Sequence, residues 1–308
     1  MALNDAPLGK SSDYPDAYDP QLLFPVAREE NRRRIGLEDG RWPWFGEDLW
    51  QAWEISWLRT GGVPAVAWAE IRVPSASPSI IESKSLKLYL NSLNQTVFSS
   101  ADQVRDVIAR DLSSASGAAV NVDLHSVDQG ARAVGRPEGF VLIDDEDVES
   151  VGYDYNPDSL QATGDVVSEK LCSHLLKSNC PVTGQPDWAT VLIDYTGPAM
   201  DRAGLLQYIV SFRQKQDFHE HCVETMFTDL MARCQPQKLS VCARYTRRGG
   251  LDINPWRSRS AASSSADRMD SRSRSVIFSE SRYMAKPLRS CSRKLRLGPM
   301  SRRKSTTS

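Results

Sequence analysis

The segment Cys180-Pro181-Val182-Thr183-Gly184-Gln185-Pro186-Asp187 places a thiol and a carboxyl group in one short loop fixed by two prolines and a glycine. A thiol attacks an electrophilic carbon as its thiolate, so it needs a base or a lowered pKa. Asp187 is the only acid in that loop. It is the candidate to take the thiol proton and return it to a substrate nitrogen. A second segment, Phe218-His219-Glu220-His221-Cys222, reads as an acid/base pair opening a helix, where the helix dipole favours Glu220. Its His-x-His-Cys pattern also offers metal ligands. The spacing fits no standard zinc site, and Cys172 with His174 is the one other obvious ligand pair, so no metal is expected.

Two basic segments complete the set. Glu82-Ser83-Lys84-Ser85-Leu86-Lys87-Leu88-Tyr89 alternates charge with apolar residues, and Arg247-Arg248-Gly249-Gly250 joins two cations to a permissive backbone. No Gly-x-Gly-x-x-Gly follows a predicted strand, which disfavours a Rossmann fold. A phosphate-bearing cofactor would need another cradle, and Lys84, Arg247 and Arg248 beside the two glycines supply one. His125 and His174 read as structural, in a strand and a helix-like stretch.

These residues need elements to hold them. Residues 1–40, rich in Pro, Asp and Arg, read as an extended arm. Trp50, Trp53 and Trp57 fall at spacings of three and four, which predicts one face of a short buried helix. Strands are predicted over 65–73, 86–92 and 118–127, with a helix over 100–112 and a long connection over 128–160. The second part repeats the plan, with strands over 190–195 and 205–212, a helix from Glu220 and a closing strand over 239–245. Residues 88–93 align with 207–212, and an acid stands seven residues before each tyrosine, Glu82 before Tyr89 and Asp201 before Tyr208. The pattern predicts an α+β protein of two related halves, 41–150 and 151–258.

The formal net charge of −1 hides an asymmetry. Residues 259–308 carry ten Arg and three Lys against three acids, while the first 258 carry 25 basic and 36 acidic side chains. This Ser/Arg-rich tail lacks core periodicity and is expected to be disordered. No apolar run reaches the length of a membrane span, and the N-terminus has no signal-peptide pattern, so a cytoplasmic protein is expected. Six cysteines in a chain this long fit cytosolic thiols better than a disulfide framework.

Glu-Ser-Lys-Ser-x-Lys-x-Tyr at 82–89, Cys-Pro-Val-Thr-Gly-Gln-Pro-Asp at 180–187, Phe-His-Glu at 218–220 and Tyr-Thr-Arg-Arg-Gly-Gly-Leu-Asp-Ile-Asn-Pro-Trp-Arg at 245–257 together resemble the QueF-type 7-cyano-7-deazaguanine reductases. The resemblance runs in order over about residues 14–258, through Tyr-Asp-Pro at 18–20, Leu-Phe-Pro at 23–25 and Phe-Gly-Glu-Asp-Leu-Trp at 45–50. It is similar to the long form, which implies tandem tunnelling-fold (T-fold) halves, each an antiparallel sheet with helices on one face. The resemblance implies NADPH-dependent reduction of a nitrile to an amine, in queuosine tRNA-modification biosynthesis. Cys180 would form a thioimide, Asp187 would carry protons and His219 would assist. Ile81, Glu82, Ser83, His219 and Glu220 would hold the deazaguanine, while Ser83, Lys84, Arg248 and Gly249 would bind NADPH. A Cys180–Cys222 disulfide is a further possibility it raises. A homodimer or higher homo-oligomer is expected, with no membrane contact and no direct tRNA binding. Two other readings stand beside it: a metal-dependent cyclohydrolase sharing the fold, and a non-enzymatic RNA-binding protein using the tail.

Overall fold

Two long antiparallel hairpins frame the molecule, β2 (Phe45–Leu58) with β3 (Pro64–Pro74), and β7 (Ala162–Asn179) with β8 (Pro186–Met200). The computed structural model describes residues 15, 17–37, 42–129, 136–148 and 152–260. The tail expectation therefore falls, from residue 261 onward, outside the described residues. Ahead of the first hairpin come β1 (Pro25–Ala27) and α1 (Glu29–Arg34), so part of the predicted extended arm is structured. The remaining elements are β4 (Ser79–Ile81), α2 (Ser83–Ser92), α3 (Ala101–Ser116), β5 (Asn121–His125), β6 (Val141–Leu142), α4 (Arg202–Ser211), α5 (His219–Cys234), β9 (Lys238–Tyr245) and β10 (Leu251–Ser258). The fold is α+β.

Eight strands form one sheet in the order β5-β3-β2-β10-β9-β8-β7-β6, antiparallel except at β6–β7. β10 is the seam. It pairs with β2 along its whole length, from Leu251 opposite Ala52 to Ser258 opposite Phe45, and with β9 on its other side. Helices α2 and α3 cover a core of Trp50, Ile55, Ile71, Leu86, Tyr89, Ile108 and neighbours. Helices α4 and α5 cover a second, with Val191, Ile193, Leu205, Phe212, Met226 and Phe227.

Four sequence expectations are corrected here. The Trp50, Trp53 and Trp57 segment is strand, not helix. The pairing of β2 with β3 shifts register between Ala52 and Ile55. That bulge adds a residue to the alternation, so Trp50 and Trp57 both join the core while Trp53 turns to the other face and stacks on Trp68, with ring centroids 5.1 Å apart. Residues 86–92 and 205–212, read as strands, lie in α2 and α4, the latter running into a 3-10 turn at Phe212–Gln214. His174 sits in β7, not in a helix. The order within each half is thus strand, strand, helix, helix, strand. The predicted connection over 128–160 holds the short strand β6.

The aligned acids explain the helices. Glu82 accepts the Lys84 and Ser85 amides at 2.7 and 2.8 Å, and Asp201 accepts those of Ala203 and Gly204 at 3.3 and 3.2 Å. Each is an N-cap, satisfying amides that have no partner within the helix. The aligned tyrosines match as well. Tyr89 donates to Asp111 of α3 at 2.7 Å, and Tyr208 donates to Asp229 of α5. Each aspartate also accepts a second tyrosine, Tyr18 at 2.6 Å and Tyr155 at 2.7 Å. Tyr18 precedes Asp-Pro and Tyr155 precedes Asn-Pro. The internal repeat therefore reaches back into the arm.

Candidate active site

Cys180 opens the turn between β7 and β8. Its amide donates to the Gln185 carbonyl at 2.8 Å, and the Gly184 amide donates to the Cys180 carbonyl at 3.0 Å. Gly184 has φ +67°, which suits a residue without Cβ. The turn is tied down from outside by Asn179, whose amide donates to the Lys215 carbonyl at 2.8 Å. Asp187 lies at the start of β8, opposite Ser178. The loop and strand thus hold thiol and carboxyl group on a rigid hairpin end.

α5 brings the second group. His219 Nε2 lies 3.3 Å from Asp187 Oδ2, and its ring stacks flat on Tyr245 at 3.6 Å with 3° between the planes. Arg248 reaches Asp187 Oδ1 at 3.4 Å and donates to Gln185 Oε1 at 2.8 Å. Asp187 is therefore held between an imidazole and a guanidinium. Glu220 is buried one residue further along α5. Burial first, and the nearby negative charge of Asp48 second, push its carboxyl group up to about 8.

The first half supplies the opposite wall. Ile81 ends β4, which pairs with β1 so that Ile81 faces Pro25. The Glu82 amide donates to the Phe24 carbonyl at 2.9 Å, and Ser85 Oγ accepts the Phe24 amide at 3.0 Å. The arm thereby clamps the Ile81–Ser83 corner.

One narrow cleft is lined by Ile81, Ser83, Cys180, Asp187, His219, Glu220 and Arg248, and further by Pro181, Asp217, Phe218 and Ile253. Seven of the expected site residues meet there, drawn from both halves of one chain. Glu82, Lys84 and Gly249 do not line it. The Glu82 carboxylate is committed to capping α2, and burial raises its pKa. Lys84 lies in the first turn of α2. Gly249, at φ +61°, turns beside Lys87, whose Nζ would lie 3.5 Å from a Cβ placed there. Sequence reasoning assigned no site role to Asp217, which lies outside its motifs, nor to Phe218, Tyr245 and Ile253, which lie within them.

The residues around Gly249 suit a pyrophosphate-bearing cofactor. Lys87, Arg247 and Arg248 bring cations to the turn at Gly249, φ +61°, while Glu54 pairs with Lys87 at 3.3 Å and occupies the space beside Gly250. Arg247 lies over the Trp53 ring at 3.7 Å. Among the described residues no group of three or more His, Cys, Asp or Glu side chains is arranged to hold a metal ion. His221 Nδ1 is 3.0 Å from Asp217 Oδ1 instead, and burial pushes the Cys222 thiol up to about 12.

Two family models match the chain. One, described as nitrile reductase, 7-cyano-7-deazaguanine-reductase N-term, covers residues 14–124; the other, described as QueF-like protein, covers residues 186–264. Among curated relatives, a protein of Bordetella avium is 54% identical over 268 residues, 87% of this chain and 98% of its own. One of Azoarcus sp. is 58% identical over 253 residues, 82% of this chain and 90% of its own. One of Chromohalobacter salexigens is 55% identical over 255 residues, 83% and 92%. All three bear the name NADPH-dependent 7-cyano-7-deazaguanine reductase. With that identity carried across nearly the full length of the relatives, the chain belongs to the NADPH-dependent 7-cyano-7-deazaguanine reductase family.

Proposed function

We propose that this protein reduces the nitrile of 7-cyano-7-deazaguanine to the aminomethyl group with NADPH, by way of a thioimide on Cys180, in queuosine biosynthesis in the cytoplasm. The observation that carries the reading is the single cleft in which Cys180, Asp187, His219 and Glu220 meet the Ile81–Ser83 corner and Arg248. Asp187 takes the thiol proton, and Sγ adds to the nitrile carbon. One C–N π bond is exchanged for a C–S bond, and the proton passes to nitrogen. His219, against the same carboxylate, relays further protons to that nitrogen as the carbon is reduced.

NADPH, when bound, supplies the hydrides, two of which are needed for nitrile to amine. Arg248, Lys84 and Gly249, with Ser83, are the residues that would hold it. Glu220 in its ionised form accepts the paired N–H donors of the deazaguanine edge. Glu82 fixes the facing corner through its cap, and its carboxylate keeps further acceptor sites for the N–H donors of the base. Among the described residues no helix is long and apolar enough to cross a membrane. A homodimer or higher homo-oligomer stays part of the proposal, beside a cleft built from both halves of one chain.

The test is to mix protein, NADPH and 7-cyano-7-deazaguanine and follow nicotinamide absorbance. Two NADPH consumed per amine formed is the expected stoichiometry. Absence of substrate-dependent oxidation would overturn the reading.

A further inference from the structure

Behind Glu220 lies a knot of charge that the chemistry above leaves unused. Arg28, at the entry to α1, pairs with Asp48 of β2. Arg257 of β10 donates to Asp48 Oδ1 at 2.8 Å and to Glu224 Oε1 of α5 at 2.9 Å. Arg32 of α1 grips both oxygens of Glu224, at 3.1 and 2.8 Å. All five side chains are at most 1% exposed. Three guanidiniums against two carboxylates leave one positive charge over. Arg28 Nη1 has no hydrogen-bond partner among the described residues and lies 3.7 Å from Glu224.

This knot fills the seam between the two helix-covered cores, where apolar side chains of similar volume would hold the elements together as well or better. What apolar packing could not do is act on the charge of a neighbour. Glu220 stands four residues before Glu224 on α5, one turn away on the same side. Asp48 pushes on its carboxyl group, while Arg28 and Arg257 pull. The other charged groups of the cleft are matched among themselves. Asp187 faces His219 and Arg248, and Asp217 faces His221 and Lys215. At the facing corner burial raises the pKa of Glu82, while the Lys84 and Ser85 amides it caps favour its ionised form.

We propose that Arg28, Asp48 and Arg257 are positioning residues that set the charge of Glu220, and with it the pH range over which the cleft takes its base. The proposal rests on the reading of Glu220 as the acceptor of the deazaguanine N–H pair. In the resting protein, burial and Asp48 keep Glu220 largely protonated near neutrality. Binding the base then requires that this proton leave, so affinity should climb with pH until Glu220 ionises unaided. The two kinds of neighbour act in opposite senses, which separates this role from a merely structural one.

The experiment measures binding of 7-cyano-7-deazaguanine by calorimetry from about pH 6 to 9, in a full-length Cys180→Ala background that prevents the covalent step. The background protein should bind more tightly as pH rises, levelling near 8. Adding Asp48→Asn removes the opposing charge and moves the plateau to lower pH, giving about tenfold tighter binding near pH 6.5 for a one-unit displacement. Adding Arg28→Gln moves it to higher pH, with about tenfold weaker binding there. Thermal unfolding identifies any variant that fails to fold, and the other then decides. Profiles that keep the parent's plateau, or that both move in one direction, overturn the proposal. Adding Glu220→Gln should flatten the pH dependence. If the slope persists in that variant, the assignment of the base to Glu220 itself is wrong.

Discussion

At the scale of single residues, the proposed mechanism gives separate work to the thiol and to the carboxylates. Cys180→Ala should abolish NADPH oxidation while leaving 7-cyano-7-deazaguanine bound. Mass spectrometry without NADPH should show an adduct of one substrate mass on the parent protein and none on the variant. Asp187→Asn keeps the side chain's shape but removes the proton carrier. It should lower kcat by about 100-fold or more while changing KM little, and a near-normal kcat across pH would remove Asp187 from the mechanism. Cys222 makes an instructive contrast. It also lies in α5 beside the cleft residues, yet burial holds its thiol protonated. Cys180, by contrast, lines the cleft at the hairpin end.

At the scale of elements, the buried ion pairs make stability depend on Glu224. Burial alone would raise its pKa, but Arg257, Arg32 and Arg28 hold it down to about 2. A carboxylate depressed in the folded state contributes stability above its unfolded value, and that contribution is lost as pH falls from about 4.5 toward about 2. Glu224→Gln should therefore cost about 3–5 kcal/mol at neutral pH, because it strands guanidiniums in the interior. Chemical denaturation should find a smaller difference between the two proteins near the acid end. The same elements show what the sequence could and could not reveal. α3 and α5 were legible from their apolar spacing, β8 from its run of β-branched and apolar residues and β9 from its short apolar stretch. α2 and α4 were not, because Leu-Lys-Leu-Tyr-Leu and Leu-Gln-Tyr-Ile-Val satisfy a strand pattern as well as a helix. The decisive signal was the capping acid ahead of each, visible in the alignment of Glu82 with Asp201 and read only as a sign of duplication. The tryptophans of β2 misled for the opposite reason, since a bulge imitates helical spacing. Of the site, the motif-bearing residues were legible. The charge knot was not, although Asp48 and Arg257 lie in quoted motifs, because only folding brings them together with Arg28, Arg32 and Glu224.

At the scale of the whole molecule, every residue described in the cleft and the charge knot lies at or before Arg257, and beyond it the Arg259 guanidinium donates to the Pro236 carbonyl at 2.8 Å and the Ser260 amide to Ser258 Oγ at 3.3 Å. Deleting residues 261–308 should therefore leave kcat and the KM for NADPH essentially unchanged in side-by-side kinetics. A large rise in that KM would show that the segment takes part in holding the cofactor. The position of β10 also has a consequence for how the protein is made. β10 is translated near the end of the described chain, yet it hydrogen-bonds to β2, whose Ala52 lies opposite Leu251. At ribosomal speeds of about 5–20 residues per second, β2 waits roughly 10–40 s for that partner. Throughout this interval one edge of the first hairpin is unpaired, the condition under which nascent chains pair with the wrong strand. Arg248, Ile253 and Arg257 arrive with the missing strand or just before it. Edge protection, the Arg257 bridge between Asp48 and Glu224 and the last wall of the cleft are thus completed together, and a ribosome that stops before residue 248 releases a chain with none of the three.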